Sequence, residues 1–310
     1  MKASTTTLSS ALAAMSFLWG PAFCDITQGT TPTLFARLDR MASLSMNVYT
    51  GALCGAPAGF SRAGFINETT YDIQGQVLRD DAAREAVVVF RGTASDKNFQ
   101  VDLNVTLAPF ETAAGNCAGC SVHGGFYLAW AAAREQVLGL VQGVLGEFPG
   151  YGVVITGHSL GGSMASLAAT QFQPLFPNLT VYTFGEPRTG DALYVQAVEN
   201  NFLASSPCTT RYFRSTREYI PIPYSYQDET VLDEDDGVPN FPAVSDGYQS
   251  STRNSFWQRD PVGANNTFVC TSTSDFQTQR QCGEGRNGSG INEAHLTYFG
   301  HPLNTYPLEL

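Results

Sequence analysis

Ser159 stands at the centre of Gly157-His158-Ser159-Leu160-Gly161, a G-x-S-x-G pattern that begins where the apolar run VVIT ends and a small-residue stretch begins. A strand, a tight turn and a helix in that order hold a serine on a strained, exposed corner. Glycines at both ends of the pentapeptide remove the Cβ atoms that would collide there. A serine hydroxyl is a poor nucleophile unaided, so the pattern demands a histidine to take its proton and a carboxylate to orient that histidine. The chemistry so implied is acyl transfer through a serine ester.

The chain has four histidines, His123, His158, His295 and His301. Where such an elbow heads an α/β sheet, the acid and then the histidine follow it in sequence. His123 comes too early, and the side chain of His158 should diverge from its neighbour. His295, in NEAHLTYFG with a short apolar stretch after it, is the expected base, whereas His301 lies in a Pro-flanked tail expected to be mobile. Among the carboxylates, Asp191 reads as a helix cap, and Asp260 and Asp275 lie close to His295 in sequence. Within the cluster from Asp233 to Asp236, Asp233 and Glu234 read as solvated. Asp236 leads the sharp turn DGVPNFP and is the expected orienting acid. An oxyanion needs two N–H donors, each typically worth about 10²–10³ in rate. The residue after the nucleophile, Leu160, supplies one; Thr93, ending the strand FRGT, supplies the other, with a hydroxyl that can assist its own N–H.

These residues need a scaffold, and the hydrophobic pattern describes one. EAVVVFRGT from residue 85 is a continuous apolar run, as in a fully buried strand, and residues 126–148 carry apolar side chains at helical spacing up to Pro149-Gly150. A short strand over 151–156, a helix from about 160, strand NLTVYTF, helix DALYVQAVENNF capped by Asp191, and strand TTRYFRST follow. Strands alternating with helices predict an α/β fold class with a mostly parallel central sheet flanked by helices.

The chain of 310 residues is 43% apolar and 15% charged, enough to bury one large core. A formal charge of −11, with seventeen basic residues scattered singly, excludes an electrostatic partner such as nucleic acid. Lys2, a polar run, the apolar segment ALAAMSFLW and the small-residue site Gly20 to Ala22 predict a signal peptide over 1–22, which leaves 23–310 as a single domain. That apolar run is too short to cross a bilayer and no other is long enough to do so, so no stable membrane insertion is expected and the protein reads as secreted. Sequons at Asn67, Asn104, Asn178, Asn265 and Asn287 agree with export. Of seven cysteines, Cys117 and Cys120 predict a short structural disulfide and Cys270 with Cys282 a second; Cys24, Cys54 and Cys208 remain. No cofactor and no metal are implied.

Together VVVFRGTASD, GHSLGGSMA, YTFGEPRTG, DDGVPNFP, NNTFVC and AHLTYFG resemble the secreted fungal class 3 lipases, and most closely their type A feruloyl esterase relatives, from about residue 45 to 300. The resemblance implies an α/β-hydrolase fold with Ser159 as nucleophile, Asp236 as orienting acid, His295 as base, and Thr93 with Leu160 as oxyanion hole. It makes TASDKNFQVDLNV the lid, where Asn98-Phe99-Gln100-Val101-Asp102-Leu103 is similar to the N-W-x-x-D-L of true lipase lids. Phe99, Val101 and Leu103 then face a lipid surface, while Asp96, Lys97 and Asp102 favour a solvated, open lid. The feruloyl esterases carry a tyrosine where this chain has Val105, and a C-terminal cysteine that pairs with the counterpart of Cys54 but is missing here. Relative to the family, an excess of about sixteen residues lies between Thr216 and Glu234; it is either a lengthened rim loop or a retained intron. The expected function is hydrolysis of acylglycerol esters by a monomer acting on a small-molecule or lipid-interface substrate. Feruloyl ester hydrolysis and an inactive hydrolase-fold binding protein are the alternatives.

Overall fold

A computed structural model describes residues 26–50, 56–112, 114–203, 212–217, 236–250, 255–258, 261–270 and 290–303. Its elements in chain order are β1 (Ile26–Gln28), α1 (Pro32–Asn47), β2 (Ser61–Glu68), β3 (Ile73–Asp80), β4 (Glu85–Phe90), α2 (Asp96–Leu103), β5 (Leu107–Pro109) and β6 (Ser121–His123). Then come α3 (Gly124–Glu147), β7 (Gly152–His158), α4 (Leu160–Phe172), β8 (Leu179–Phe184), α5 (Ala192–Leu203), β9 (Tyr212–Arg217), β10 (Ser255–Gln258), β11 (Thr267–Cys270), β12 (Thr297–Tyr298) and β13 (His301–Pro302).

Nine strands form one sheet in the order β1-β11-β10-β9-β8-β7-β4-β3-β2. Its centre, from β10 to β4, is parallel; the outer pairs on both sides are antiparallel. Parallel neighbours need a crossover, which α4 provides between β7 and β8 and α5 between β8 and β9. The uninterrupted apolar run of β4 follows from this layering. Ala86, Val88 and Phe90 point into a core shared with α3, α4 and α5, while Val87 and Val89 point into a second core shared with α1 and β12. A strand covered on both faces has no polar side to alternate with. α4 is built from small residues, Gly162, Ser163, Ala165, Ser166, Ala168 and Ala169, all buried, so it lies close against the sheet.

Local chemistry sets the boundaries. α3 starts two residues before the expected 126 because the His123 side chain accepts the Phe126 N–H at 3.3 Å and caps it. Asp191 caps α5 as expected, accepting the Tyr194 N–H at 2.8 Å, and its other oxygen accepts the Ser121 N–H at 3.0 Å. His301 does not lie in a loose tail. It pairs in β13 against β12 and its Nε2 is 2.8 Å from Asp39 Oδ1. Cys117 and Cys120 are joined. Asn67, Asn104, Asn178 and Asn265 are exposed. The signal segment 1–22, residues 218–235 of the insert, Cys24, Cys54, Cys208, Cys282, Asn287, Asp260 and Asp275 lie outside the described residues. Among the described residues no helix is long and apolar enough to cross a membrane.

Glycines in this fold divide by what surrounds them. A Cβ on Gly161 would lie 2.5 Å from the Phe90 carbonyl oxygen, a main-chain atom that cannot give way, whereas Gly139 on the outer face of α3 has nothing within 4 Å. Gly161→Ala should therefore cost about 1–3 kcal/mol, and Gly139→Ala should gain about 0.5–1 kcal/mol from helix propensity. Chemical denaturation of the two variants beside the wild type checks the opposite signs.

Candidate active site

At the end of β7 the chain turns into α4 through Ser159, which has φ 58° and ψ −129°, a conformation that costs a non-glycine residue energy. The turn holds because its flanks touch main chain to main chain: a Cβ on Gly157 would overlap the carbonyl group of Gly161. The Ser159 N–H donates to the Phe184 carbonyl at 2.9 Å, and the Ser159 carbonyl accepts the Gly162 N–H at 2.8 Å. Although Ser159 is the N-cap of α4, its side chain makes no cap hydrogen bond, so the hydroxyl has no structural duty there. The positive end of the α4 dipole lies beside it and favours developing negative charge.

His295 and Asp236 meet across fifty-nine positions of sequence, with His295 Nδ1 3.0 Å from both carboxylate oxygens. The Asp236 side chain has no solvent exposure. It also accepts the Val238 N–H at 2.9 Å and the Tyr298 hydroxyl. Burial pushes this carboxyl up, but the His295 imidazole, the Tyr298 hydroxyl and the Val238 N–H together outweigh it and hold the carboxyl below its ordinary value. Asp236 therefore stays ionised and accepting, so His295 Nδ1 faces it as the donor, and Nε2 lies across the ring from the carboxylate. Gly185, at φ +56°, lies at this junction. A Cβ there would stand 2.9 Å from both Asp236 Oδ2 and the His295 ring. Since Phe184, its neighbour, receives the Ser159 N–H, the end of β8 touches all three expected residues.

Thr93 follows the end of β4, which runs parallel to β7 with Phe90 opposite Gly157, and its neighbour Gly92 lies against the end of β7, where an added Cβ would come 2.6 Å from the His158 carbonyl oxygen. Leu160 is the first residue of α4, where an amide has no partner within the helix. The Thr93 hydroxyl does not assist its own N–H as expected; it donates to Asp102 Oδ2 at 2.7 Å. The loop is held by Asn98, fully buried, whose Oδ1 accepts the Ala94 N–H at 3.1 Å and whose Nδ2 donates to the carbonyls of Tyr71 and Asp72 at 2.8 and 3.1 Å. The expected lid is α2, and its residues sort differently from their composition. Phe99 and Leu103 are exposed as expected, but Val101 is buried in the core. Asp102 is half-buried, and one of its carboxylate oxygens is turned to Thr93.

Sequence reasoning missed Tyr298, Asn98 and the inward role of Asp102. Tyr298 gives no signal beyond an aromatic three residues after His295, and Asn98 was quoted only as part of a lid pattern. Asp102 carries a pH dependence: burial pushes its carboxyl up to about 6, although the Thr93 hydroxyl and the His295 imidazole act the other way. An acid whose folded value is raised binds more protons folded than unfolded, so it subtracts stability as pH climbs from about 4 to about 6. Asp102→Asn keeps an acceptor for Thr93 and removes that loss. Its melting temperature relative to wild type should rise by a few degrees between pH 4 and pH 7, as measured by calorimetry at both; a constant difference would show Asp102 to be ordinary.

The family model for lipase (class 3) matches residues 87–245, about half of the chain and the part that carries the elbow and Asp236. A secreted mono- and diacylglycerol lipase A from Penicillium camembertii is 29% identical over 244 residues, covering 76% of this chain and 68% of that protein. The Rhizomucor miehei lipase in its propeptide complex superimposes with a TM-score of 0.69 at 26% identity, covering 90% of this chain and 82% of that one. The Lip2 lipase from Yarrowia lipolytica gives a TM-score of 0.72 at 21% identity over 90% and 97% of the two chains, a likeness of fold. These relatives are named lipases, and the expected nearness to feruloyl esterases draws no support from them. With the elbow, the central parallel sheet and the matched segment in agreement, this chain belongs to the class 3 lipase family.

Proposed function

We propose that the protein is a secreted, monomeric lipase that cleaves acylglycerol esters through an acyl-enzyme on Ser159. His295 Nε2 takes the hydroxyl proton as Ser159 Oγ attacks the ester carbonyl. Asp236 keeps the imidazole in the needed tautomer and stabilises the imidazolium that forms. The N–H groups of Thr93 and Leu160 receive the oxyanion, with the α4 dipole behind them. His295 then returns its proton to the leaving alcohol; in the second half a water gives a proton to His295 and adds to the acyl carbon, the bond to Ser159 Oγ breaks, and Oγ recovers the proton as the carboxylic acid is released. No step calls for a metal or an organic cofactor.

The observation that carries this reading is the buried Asp236 carboxylate 3.0 Å from His295 Nδ1, since a carboxylate without solvent exposure holds that nitrogen as a donor and fixes how the ring is turned. The preference for lipids rests on two further features. Ser159 and His295 lie in the interior of the fold at 7% and 2% exposure, which suits chemistry carried out away from bulk water. Phe99 and Leu103 on α2 are more than half exposed and offer an apolar contact to a lipid surface. The relatives named mono- and diacylglycerol lipases support the same substrate class, and those named secreted support export.

A fluorophosphonate probe should label the wild type and leave Ser159→Ala unlabelled, and hydrolysis of tributyrin should rise steeply as its solubility limit is passed. An unlabelled wild type would return the protein to the class of inactive binding folds. A flat response across that limit, together with faster turnover of methyl ferulate, would move the substrate to soluble phenolic esters.

A further inference from the structure

Two buried side chains beside the site have no part in the reaction just described. Tyr49 follows α1 in a single turn of 3-10 helix, Val48–Thr50, and its Oη lies 2.9 Å from His158 Nδ1 and 3.4 Å from the His158 carbonyl. The other ring nitrogen of His158, Nε2, is 2.8 Å from the main-chain carbonyl oxygen of His295. We propose that Tyr49 and His158 are positioning residues: a directed pair of hydrogen bonds, from the Tyr49 hydroxyl through the His158 imidazole to the His295 carbonyl, sets where the base stands relative to the elbow. The inference rests on the reading of Ser159, Asp236 and His295 as a working set.

Simple hydrogen-bond arithmetic fixes the direction of the pair. A carbonyl only accepts, so His158 Nε2 carries the hydrogen. Burial, reinforced by the neighbouring His295, holds the His158 imidazole well below its usual value, so the ring is neutral and Nδ1 is bare. Burial also raises the Tyr49 hydroxyl above its ordinary value, so it keeps its proton and donates it to Nδ1. Each bond polarises the next in a site that excludes water. The titratable groups facing the His158 ring are Tyr49, His295, Asp236 and Tyr298. The ring also lies against that of His295, tilted by 37° with centroids 4.4 Å apart, and meets edge-on, at 5.5 Å, the Tyr298 ring whose hydroxyl bonds Asp236. A second cation in this place would oppose the imidazolium that His295 has to become. An apolar ring would leave the His295 carbonyl and the Tyr49 hydroxyl buried without each other.

The same tyrosine oxygen reaches the oxyanion side. Gly92, just before Thr93, approaches it so closely that any Cβ there would overlap both Oη and the His158 carbonyl. One hydroxyl thus touches the end of β4, the end of β7 and, through His158, the loop that carries His295. A role in stability alone accounts poorly for this arrangement, because α1 is already tied to β7 by Ser45 Oγ and Thr156 Oγ1 at 2.9 Å in the buried second core. That bond supplies the control.

The test uses purified full-length protein as wild type, Tyr49→Phe, His158→Phe, His158→Gln, the double Phe variant and Ser45→Ala. Active sites are counted by fluorophosphonate titration, and p-nitrophenyl butyrate is hydrolysed below its solubility limit from pH 5 to 9. His158→Phe should lower kcat about 10–100-fold with KM within about twofold, and Tyr49→Phe about 3–10-fold, since a small displacement of a base acts on the chemical step. The double variant should be no slower than His158→Phe, because both residues act through one chain. His158→Gln, which keeps an N–H for the His295 carbonyl, should recover most of the loss. The acid limb of the pH profile should move in the two Phe variants and stay in place in Ser45→Ala, whose melting temperature alone falls. Unchanged kcat in folded Tyr49→Phe overturns the proposal, and so does a Gln variant as slow as Phe. Should His158→Phe fail to fold, Tyr49→Phe decides alone. A wild type that does not label at Ser159 removes the reading of the site and this inference together, whereas normal labelling with unaltered variant rates removes only the inference.

Discussion

A carboxylate with no solvent exposure survives as an anion only if donors surround it, and the Asp236 side chain has three: the His295 ring, the Tyr298 hydroxyl and the Val238 N–H. Much of the site follows from that requirement. The imidazole must present Nδ1–H to the anion, and Tyr298 must come close enough to donate, which brings β12 against the second core. Gly185 must lack a side chain, because the carboxylate and the imidazole occupy the space a Cβ would need. Removing the anion would leave each of these neighbours with an unmatched group, so the cluster is cooperative in the sense that buried polar networks are.

The elbow is a second constraint, independent of the first and mechanical in origin. Ser159 is held at positive φ by the strand before it and the helix after it, and the energy for that comes from close packing of β7 and α4 in the larger core. This explains why α4 is written in glycine, alanine and serine: larger residues would lift the helix away from the sheet and relax the turn. Beside it, β4 is apolar on both faces, while the α1 face of β7 carries Thr156 and His158 in buried hydrogen bonds to Ser45 and Tyr49.

Much of this was legible in the sequence, and for identifiable reasons. The elbow, the flanking strand and helix and the Asp191 cap are local features in which neighbouring residues specify their own geometry. Asp236 and His295 could be chosen by order and by elimination among few candidates. What stayed hidden depends on contacts between distant segments. Val101 looks like a lid residue until the turn before β3 and helix α3 close over it, and Asp102 looks like a surface acid until Thr93 is placed opposite it. His301 looked loose because its partner, Asp39, lies 262 positions earlier. Tyr298 looked like one more aromatic in a short apolar stretch. None of these has a periodic or spacing signal, because each is defined by one tertiary neighbour.

The order of the pieces along the chain has a consequence for how the site can fail. Residues 49, 93, 159, 236 and 295 come from five segments, of which 93 and 159 follow the neighbouring parallel strands β4 and β7 directly. Each strand end is fixed by main-chain pairing to its neighbour, so small displacements pass from β4 to β7 to β8 as register, not as local bending. Among the described residues, the segments around Asp236 and His295 do not pair with the nine-stranded sheet as strands. They are located by side-chain and main-chain hydrogen bonds: Asp236 to Tyr298, and His295 to Asn292 and His158. Ser159 is therefore positioned by the backbone and the Asp236–His295 pair by a polar network. A change in the core should act on Ser159 through the turn, and a change in the network on the alignment of His295, so the two kinds of damage separate in kinetics even when both leave the fold intact.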